Sequence, residues 1–378
     1  MQLRSFLTSG EGWPYFLVPL IPLAILLDVI GASPIAIFFV SAGGVIPTAA
    51  LMGRATEELA HRSGPGIGGL LNVTFGNAPE IIIALFALNK GLHEVVKASL
   101  IGSMLGNILL VMGASMFVGG LGRDRQKFDR TAASTQSGML LLAAVALVMP
   151  AIFELIKGHG LPLPGDEIRD YPSDVEHLSL AVAFVLIATY AAGLLFSLKT
   201  HRSLFNPDHG EDSGPATNDE GGEPWTIKRS VIMLAIAGVA VGGMSEILVG
   251  SIQEAAEGVG LSEFFVGVIV IAIVGNAAEH WVAVLVARKD KMDLAVNIAI
   301  GSSAQIALFA APVLVICSFF IGPHPMALVF NGFEVGAVLL AVIIANHVTN
   351  EGESTWFEGL QLLAVYVVLG LTFLFAGT

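Results

Sequence analysis

Two glutamates with matching neighbours are the residues of this chain best suited to chemistry. The sequence GNAPE at 76–80 recurs as GNAAE at 275–279, 199 residues later. Both Glu80 and Glu279 fall near the middle of apolar segments, where an ionised carboxylate costs at least about 2.5 kcal/mol. Acids at this depth indicate ion or proton pathways, so two acids related by one repeat predict a single shared site.

Oxygen-bearing side chains accompany both glutamates. Asn77 and Asn276 each place an amide one helical turn from a glutamate. Pro79 lacks an N–H, so one main-chain carbonyl of the preceding helical turn has no helical hydrogen bond and is free to face a cation. The predicted cation- and proton-binding set comprises Glu80, Glu279, Asn77, Asn276, Ser103, Ser302, Gln305, Gly102 and Gly301, of which the first four are the predicted metal ligands. Two alternatives remain open. The Gly-Ser pairs also suit simple helix packing, and His280 is either a proton relay or a packing residue.

The predicted ligands are all oxygen atoms, which favours a hard cation such as Ca²⁺ over zinc or copper. Two carboxylates neutralise one divalent ion, and two protons neutralise the same pair. The empty ionised pair is costly in low dielectric, so the site favours exchange over leak. The interpretation is a Ca²⁺/H⁺ antiporter; exchange of Na⁺, K⁺ or Mn²⁺ for H⁺, or a cation channel, stays open. An enzyme is not expected, because the sequence has no His-Glu-x-x-His, Gly-x-Ser-x-Gly or Walker-type pattern.

The composition places these residues in a membrane. Of the 378 residues 54% are hydrophobic and only 13% are charged, whereas soluble domains have about 25% charged residues. The net charge of −13 argues against binding to nucleic acid. Apolar runs predict an all-α polytopic protein with eleven transmembrane helices. They are 14–31, 34–60, 66–89, 95–121, 132–156, 177–198, 228–253, 262–287, 293–321, 325–347 and 356–377.

The distribution of basic residues predicts the orientation. Eleven spans place 14 of the 18 Lys and Arg residues on the side of the N-terminus, and only Lys90, Lys97, Lys157 and Arg169 on the other. Positive residues collect in cytoplasmic loops. We therefore expect a plasma (inner) membrane protein with a cytoplasmic N-terminus and an external C-terminus.

The repeat also predicts the domain organisation. Residues 1–33 form an extra N-terminal helix, 34–198 and 228–378 form two five-helix repeats, and 199–227 forms an acidic cytoplasmic linker. Because five is odd, the second repeat is inverted relative to the first, as in secondary transporters. The linker is either a solvated hinge or a cation-attracting entrance. Its carboxylates are Asp208, Glu211, Asp212, Asp219, Glu220 and Glu223.

Longer segments resemble a known family. GGLLNVTFGNAPE (68–80), SLIGSMLGN (99–107), SEFFVGVIVIAIVGNAAEHWVAV (262–284) and KMDLAVNIAIGSSAQIALF (291–309) are similar to the calcium/proton exchangers of the calcium/cation antiporter superfamily. The resemblance implies Ca²⁺/H⁺ exchange by alternating access, with Glu80 and Glu279 as the ion- and proton-binding acids. The resemblance also implies that the protein needs no cofactor, that Ca²⁺ and H⁺ are its substrates, and that it lies in the lipid bilayer. Homo-oligomerisation is left open.

Overall fold

A computed structural model describes residues 12–63, 68, 70–71, 74–165, 171–200 and 225–377. In this part of the chain, nine helices are long and apolar enough to cross a membrane, and two shorter apolar helices accompany them. Two strands of two residues each are the only described β-structure. The chain is thus an all-α, multi-pass membrane protein. The acidic linker carboxylates lie outside the described residues.

The helices are numbered α1 to α11 in chain order. A short 3₁₀ turn, Trp13–Leu17, precedes the first of them. Their bounds are α1 Leu20–Val29, α2 Pro34–Arg62, α3 Ala78–Asn89, α4 His93–Gly120, α5 Arg130–Ile156, α6 Ser173–Leu195, α7 Ile227–Val259, α8 Glu263–Arg288, α9 Met292–Ser318, α10 Gly332–Thr349 and α11 Trp356–Ala376. α1 and α3 are the two short helices.

Two of the helices that carry predicted site residues, α4 and α9, lie inside the bundle. The most apolar window of α4 is 78% buried and that of α9 is 67% buried, against 17% for α11. Both enclosed helices contain a π-helical turn, at Gly106–Val111 in α4 and at Ile306–Ala310 in α9. These turns lie at nearly equivalent positions of the repeat. Such wide turns are rare in helices and occur frequently at functional sites.

α2 and α7 pack against each other as an antiparallel pair along their lengths. Glycines on each helix face large side chains on the other. A Cβ at Gly258 would lie 3.0 Å from Ile35 Cδ1, and one at Gly44 would lie 2.9 Å from Met244 Sδ. The two helices therefore approach closely because glycine leaves room for the partner's side chains.

Trp225 closes one end of this pair. Its main-chain N–H donates to Glu58 Oε2 of α2 at 2.9 Å. Its indole ring lies 5.4 Å from the Arg54 guanidinium of α2 and 4.6 Å from the Arg229 guanidinium of α7. Trp225, which lies two residues before the start of α7, thus ties that helix to α2.

A two-stranded antiparallel ribbon joins two connections on the side predicted to be cytoplasmic. β1, Gln126–Lys127, lies between α4 and α5, and β2, Glu353–Ser354, lies between α10 and α11. The Arg125 guanidinium pairs with the Glu353 carboxylate at 2.8 Å beside it. The ribbon holds these two connections together.

Candidate cation and proton site

The two predicted glutamates lie across the α3–α8 contact from one another. A Cβ at Gly275 of α8 would lie 3.2 Å from Glu80 Cγ, and a Cβ at Gly76 would lie 3.9 Å from Glu279 Oε1. Each carboxylate thus approaches the glycine of the opposite repeat segment, where no side chain stands in its way. The two groups are near enough to repel each other when both are ionised. The structure therefore brings both acids into one place.

The helix geometry differs between the two repeat segments. α3 begins at Ala78, with Asn77 as the N-cap at φ −95° and ψ 19° and Pro79 in the first turn. α8 runs without interruption through Asn276, because Ala278 retains the N–H that Pro79 lacks. The break expected at Pro79 is present, whereas Gly275 alone does not interrupt α8.

The two asparagines are held through their amide nitrogens. Asn77 Nδ2 donates to Gln305 Oε1 at 2.7 Å, and Asn276 Nδ2 donates to Ser103 Oγ at 3.0 Å. Both asparagines are buried, and within the described residues neither Oδ1 atom accepts a hydrogen bond. Buried polar atoms are nearly always satisfied in folded proteins, so two unsatisfied oxygens beside two carboxylates are suited to a cation or water.

The serines contact the site through their hydroxyl groups. Ser302 Oγ donates to Glu279 Oε2 at 3.1 Å. Ser103 lines a small cavity together with Glu80. The Oε2 atom of Glu80 is buried and has no hydrogen-bond partner among the described residues. One glutamate is therefore oriented by a hydroxyl group, and the other keeps an oxygen available.

The predicted glycines serve packing in at least one case. A Cβ at Gly102 would collide with the Val268 carbonyl, so Gly102 is what allows α4 to approach α8. Gly301 faces a different neighbour, since a Cβ there would lie 3.8 Å from Gln136 Oε1. The packing alternative is thus the better description of Gly102.

His280 lies next to the site and has a defined partner. Its Nε2 atom is 3.1 Å from Asn107 Oδ1, and Asn107 belongs to the π-helical turn of α4. The contact agrees with both a packing role and a relay role, so the relay stays a prediction.

Gln136 of α5 is a polar residue near the site that sequence reasoning missed. Its Oε1 atom is buried without a hydrogen-bond partner in the described part of the chain. The repeat gave no signal for it, because Gln136 lies outside the motifs that match between the two halves. Its only signal was a glutamine within an apolar span.

Carboxylates are few at this site. No group of three or more His, Cys, Asp or Glu side chains that could hold a metal occurs among the described residues. A cation between Glu80 and Glu279 would therefore be held by two carboxylates and by neutral oxygens. That set carries enough negative charge for one divalent cation and no more.

Comparisons with known proteins agree with these features. The sodium/calcium exchanger protein family matches residues 33–199 and 229–375. A "Ca(2+)/H(+) antiporter" of Synechocystis sp. is 45% identical over 96% of this chain and 98% of its own length. "Ca(2+)/H(+) antiporter ChaA" of Bacillus subtilis is 45% identical over 93% of this chain and 96% of its own length.

Solved structures show the same similarity in three dimensions. The chain described as native YfkE is 41% identical, with a TM-score of 0.79, over 96% of this chain and 99% of that chain. A chain described as the H⁺/Ca²⁺ exchanger CAX shares the fold with a TM-score of 0.70 at 16% identity, over 98% of this chain and 93% of that chain. The present chain belongs to the sodium/calcium exchanger protein family and, within it, to the calcium/proton exchangers.

Proposed function

We propose that this protein is a secondary transporter that exchanges Ca²⁺ for H⁺ by alternating access. Glu80 and Glu279 bind either the cation or protons. The observation that carries the proposal is the placement of the two carboxylates at one site, with the unsatisfied amide oxygens of Asn77 and Asn276 beside them. The names of the relatives support the choice of Ca²⁺ and H⁺.

The charges of the site explain the exchange. A Ca²⁺ ion takes six to eight oxygen ligands, and the two glutamates, two asparagines, Ser302 and water supply oxygens of the right type. One Ca²⁺ or two protons neutralise the carboxylate pair. When neither Ca²⁺ nor protons are bound, the pair consists of two like charges in a low-dielectric environment. The energetic cost of these charges opposes a change of conformation with an empty site.

Two features support an inverted repeat around this site. The reciprocal Glu–Gly contacts join equivalent positions of the two halves, and the π-helical turns of α4 and α9 lie at nearly equivalent positions. Transporters with inverted repeats place their sites at such an interface, near the middle of the membrane. In this proposal α1 is the extra helix.

The proposed location is the plasma (inner) membrane, with the N-terminus in the cytoplasm. The excess of Lys and Arg on that side supports the orientation. In this orientation an inward proton gradient drives Ca²⁺ out of the cell.

Reconstituted vesicles separate antiport from a channel. A pH gradient imposed across proteoliposomes should drive ⁴⁵Ca²⁺ uptake against its own gradient, because only coupled exchange can do this. Dissipating the pH gradient should stop uphill uptake. Competing Mg²⁺, Mn²⁺, Na⁺ and K⁺ test the alternative substrates. Ca²⁺ flux that only ever runs downhill, whatever the pH gradient, would identify a channel.

A further inference from the structure

Gln136 of α5 is a polar residue that the proposed exchange does not use. The residue is half-buried, whereas its Oε1 atom is buried and accepts no hydrogen bond from any residue that the structure describes. A buried amide oxygen without a donor is costly, so it is suited to a partner that arrives from outside the protein, such as a water molecule or a cation. The surroundings of Gln136 show which partner can reach it.

One face of α9 connects Gln136 with the carboxylate pair. A Cβ at Gly301 would lie 3.8 Å from Gln136 Oε1. Gln305 is four residues farther along α9, so it lies on the same face about one helical turn away. A Cβ at Gly76 would lie 3.9 Å from Gln305 Oε1 and 3.9 Å from Glu279 Oε1. This face of α9 therefore has Gln136 at one end and the carboxylate site at the other.

Gln136 is nearer than Glu279 to the end of the bundle that carries the two-stranded ribbon. α5 begins three residues after β1, and Gln126 of β1 contacts the α8–α9 turn, since its Nε2 donates to the Ala287 carbonyl at 3.0 Å and to Asp290 Oδ1 at 2.8 Å. At 1.5 Å per residue, Gln136 lies about 9 Å along α5 from this end and Glu279 lies about 14 Å along α8 from it. A cation that enters from the ribbon side therefore reaches the level of Gln136 first.

The first turns of α5 are polar at the same end. Ser134 Oγ donates to Oδ1 of Asn350, the residue directly after α10, at 3.1 Å, and Asn350 Nδ2 donates to the Asn346 carbonyl at 2.6 Å. The long apolar stretch of α5 begins only at Met139. Gln136 thus lies close to the point where the polar turns of α5 meet its apolar part.

An amide oxygen at this place is suited to a cation in transit. Ca²⁺ binds the carbonyl oxygens of Asn and Gln as well as carboxylates. A neutral ligand attracts the ion without retaining it, and passage requires contacts that are weak enough to leave. Gly301 leaves the approach open, because in the described part of the chain no other helix places a side chain within 4 Å of its Cβ position.

We propose that Gln136 contacts the cation on its way between the ribbon side of the membrane and the carboxylate pair, and that its Oε1 atom lowers the barrier to this passage. The inference rests on the proposed function, because it concerns the cation that Glu80 and Glu279 bind. Gln136 binds the ion before the carboxylates do and after they release it. Loss of Oε1 therefore slows binding and release alike and leaves the equilibrium affinity unchanged.

Stopped-flow measurement of Ca²⁺ binding to the purified protein separates rates from affinity. Gln136→Met keeps the volume of the side chain and removes the amide oxygen. It should lower the association and dissociation rate constants by the same factor, at least about threefold for one lost polar contact, and leave the Kd unchanged. Gln136→Glu keeps an oxygen and adds a negative charge, so it should bind Ca²⁺ at least as fast as the unaltered protein. A purely structural role predicts the opposite order, because Met packs into an apolar span better than a carboxylate does.

Gly301→Ala tests the same approach while Gln136 is kept. Its methyl group would stand at an ordinary contact distance from Gln136 Oε1, so packing is preserved and the oxygen is partly covered. Both rate constants should fall in the same direction as in Gln136→Met. Thr135→Val is the matched control on α5. Thr135 Oγ1 donates to the Thr131 carbonyl of its own helix at 2.8 Å, so its loss should leave both rate constants unchanged.

Unchanged rate constants in Gln136→Met would overturn the proposal. So would equal slowing by Thr135→Val, or a Gln136→Met protein whose Kd rises at an unchanged association rate, because Gln136 would then be a ligand of the bound ion. These measurements use Ca²⁺ binding in detergent without a pH gradient. A protein that binds Ca²⁺ with the expected rates but never takes it up against its gradient would refute antiport and still support the role of Gln136.

Discussion

Each glutamate of the site rests against a glycine that belongs to the other repeat segment, so neither carboxylate forms a site alone. We expect Glu80→Gln and Glu279→Gln each to reduce pH-driven ⁴⁵Ca²⁺ uptake to background. Glutamine keeps the volume of the side chain, but it neither releases a proton nor neutralises a cation.

A matched control for the glutamate variants is Glu246→Gln in α7, an acid that is exposed and has no counterpart in the repeat. It should retain most of the uptake. Substantial proton-driven uptake by either Glu80→Gln or Glu279→Gln protein of native size would contradict a shared site.

The close contact at Gly275 gives a second test at the residue scale. Gly275→Ala places a Cβ 3.2 Å from Glu80 Cγ, so the carboxylate must shift to make room. We expect a weaker apparent affinity for Ca²⁺ in uptake assays. Gly243→Ala in α7 meets nothing within 4 Å and should leave the affinity unchanged. Equal affinities for the two variants would show that Glu80 does not depend on this approach.

At the scale of elements, Trp225 fastens α2 to α7. Two cation–π contacts of about 0.5–1 kcal/mol each depend on its indole ring. Trp225→Ala should therefore lower the midpoint of thermal unfolding of the purified protein, whereas Trp225→Phe should lower it less because an aromatic face remains. The hydrogen bond to Glu58 uses the main chain and survives in both variants. Identical midpoints for the Ala and Phe variants would mean that an aromatic ring at this position does not stabilise the protein.

Helix positions were largely predictable, and the exceptions have physical causes. The apolar run 325–347 predicted one helix, but α10 begins at Gly332. Residues 326–330 are apolar because they are buried in a non-helical connection, and hydropathy does not distinguish such a connection from a helix. The π-helical turns and the two-residue strands also left no hydropathy signal.

The convergence of the predicted residues was easier to foresee than their surroundings. Glu80, Glu279 and their asparagines were identified because the repeat marks them twice. Gln136 lies near the site because distant segments of the chain pack together, and no local pattern encodes that contact. Glu334 is an acid within a predicted span that has no counterpart in the repeat, and the structure shows that it caps α10.

At the scale of the whole molecule, the charge bias predicts the topology. A reporter fused after Thr378 should behave as translocated across the membrane, and one inserted in the linker 199–227 should behave as cytoplasmic. Phosphatase and fluorescent-protein fusions at both positions measure this. If both reporters lie on the same side, the number of spans between them is even and the assignment of eleven spans is wrong.

The central claim is that one Ca²⁺ and the protons compete for the same two carboxylates. The most direct measurement is Ca²⁺ binding to the purified protein at several pH values, with proton release recorded by a pH indicator in weak buffer. Because Ca²⁺ needs the deprotonated carboxylates, its affinity should fall as the pH is lowered. Binding should release protons, and both binding and release should disappear in Glu80→Gln and in Glu279→Gln. Ca²⁺ binding with the same affinity at every pH, or proton release that persists in either variant, would contradict the account.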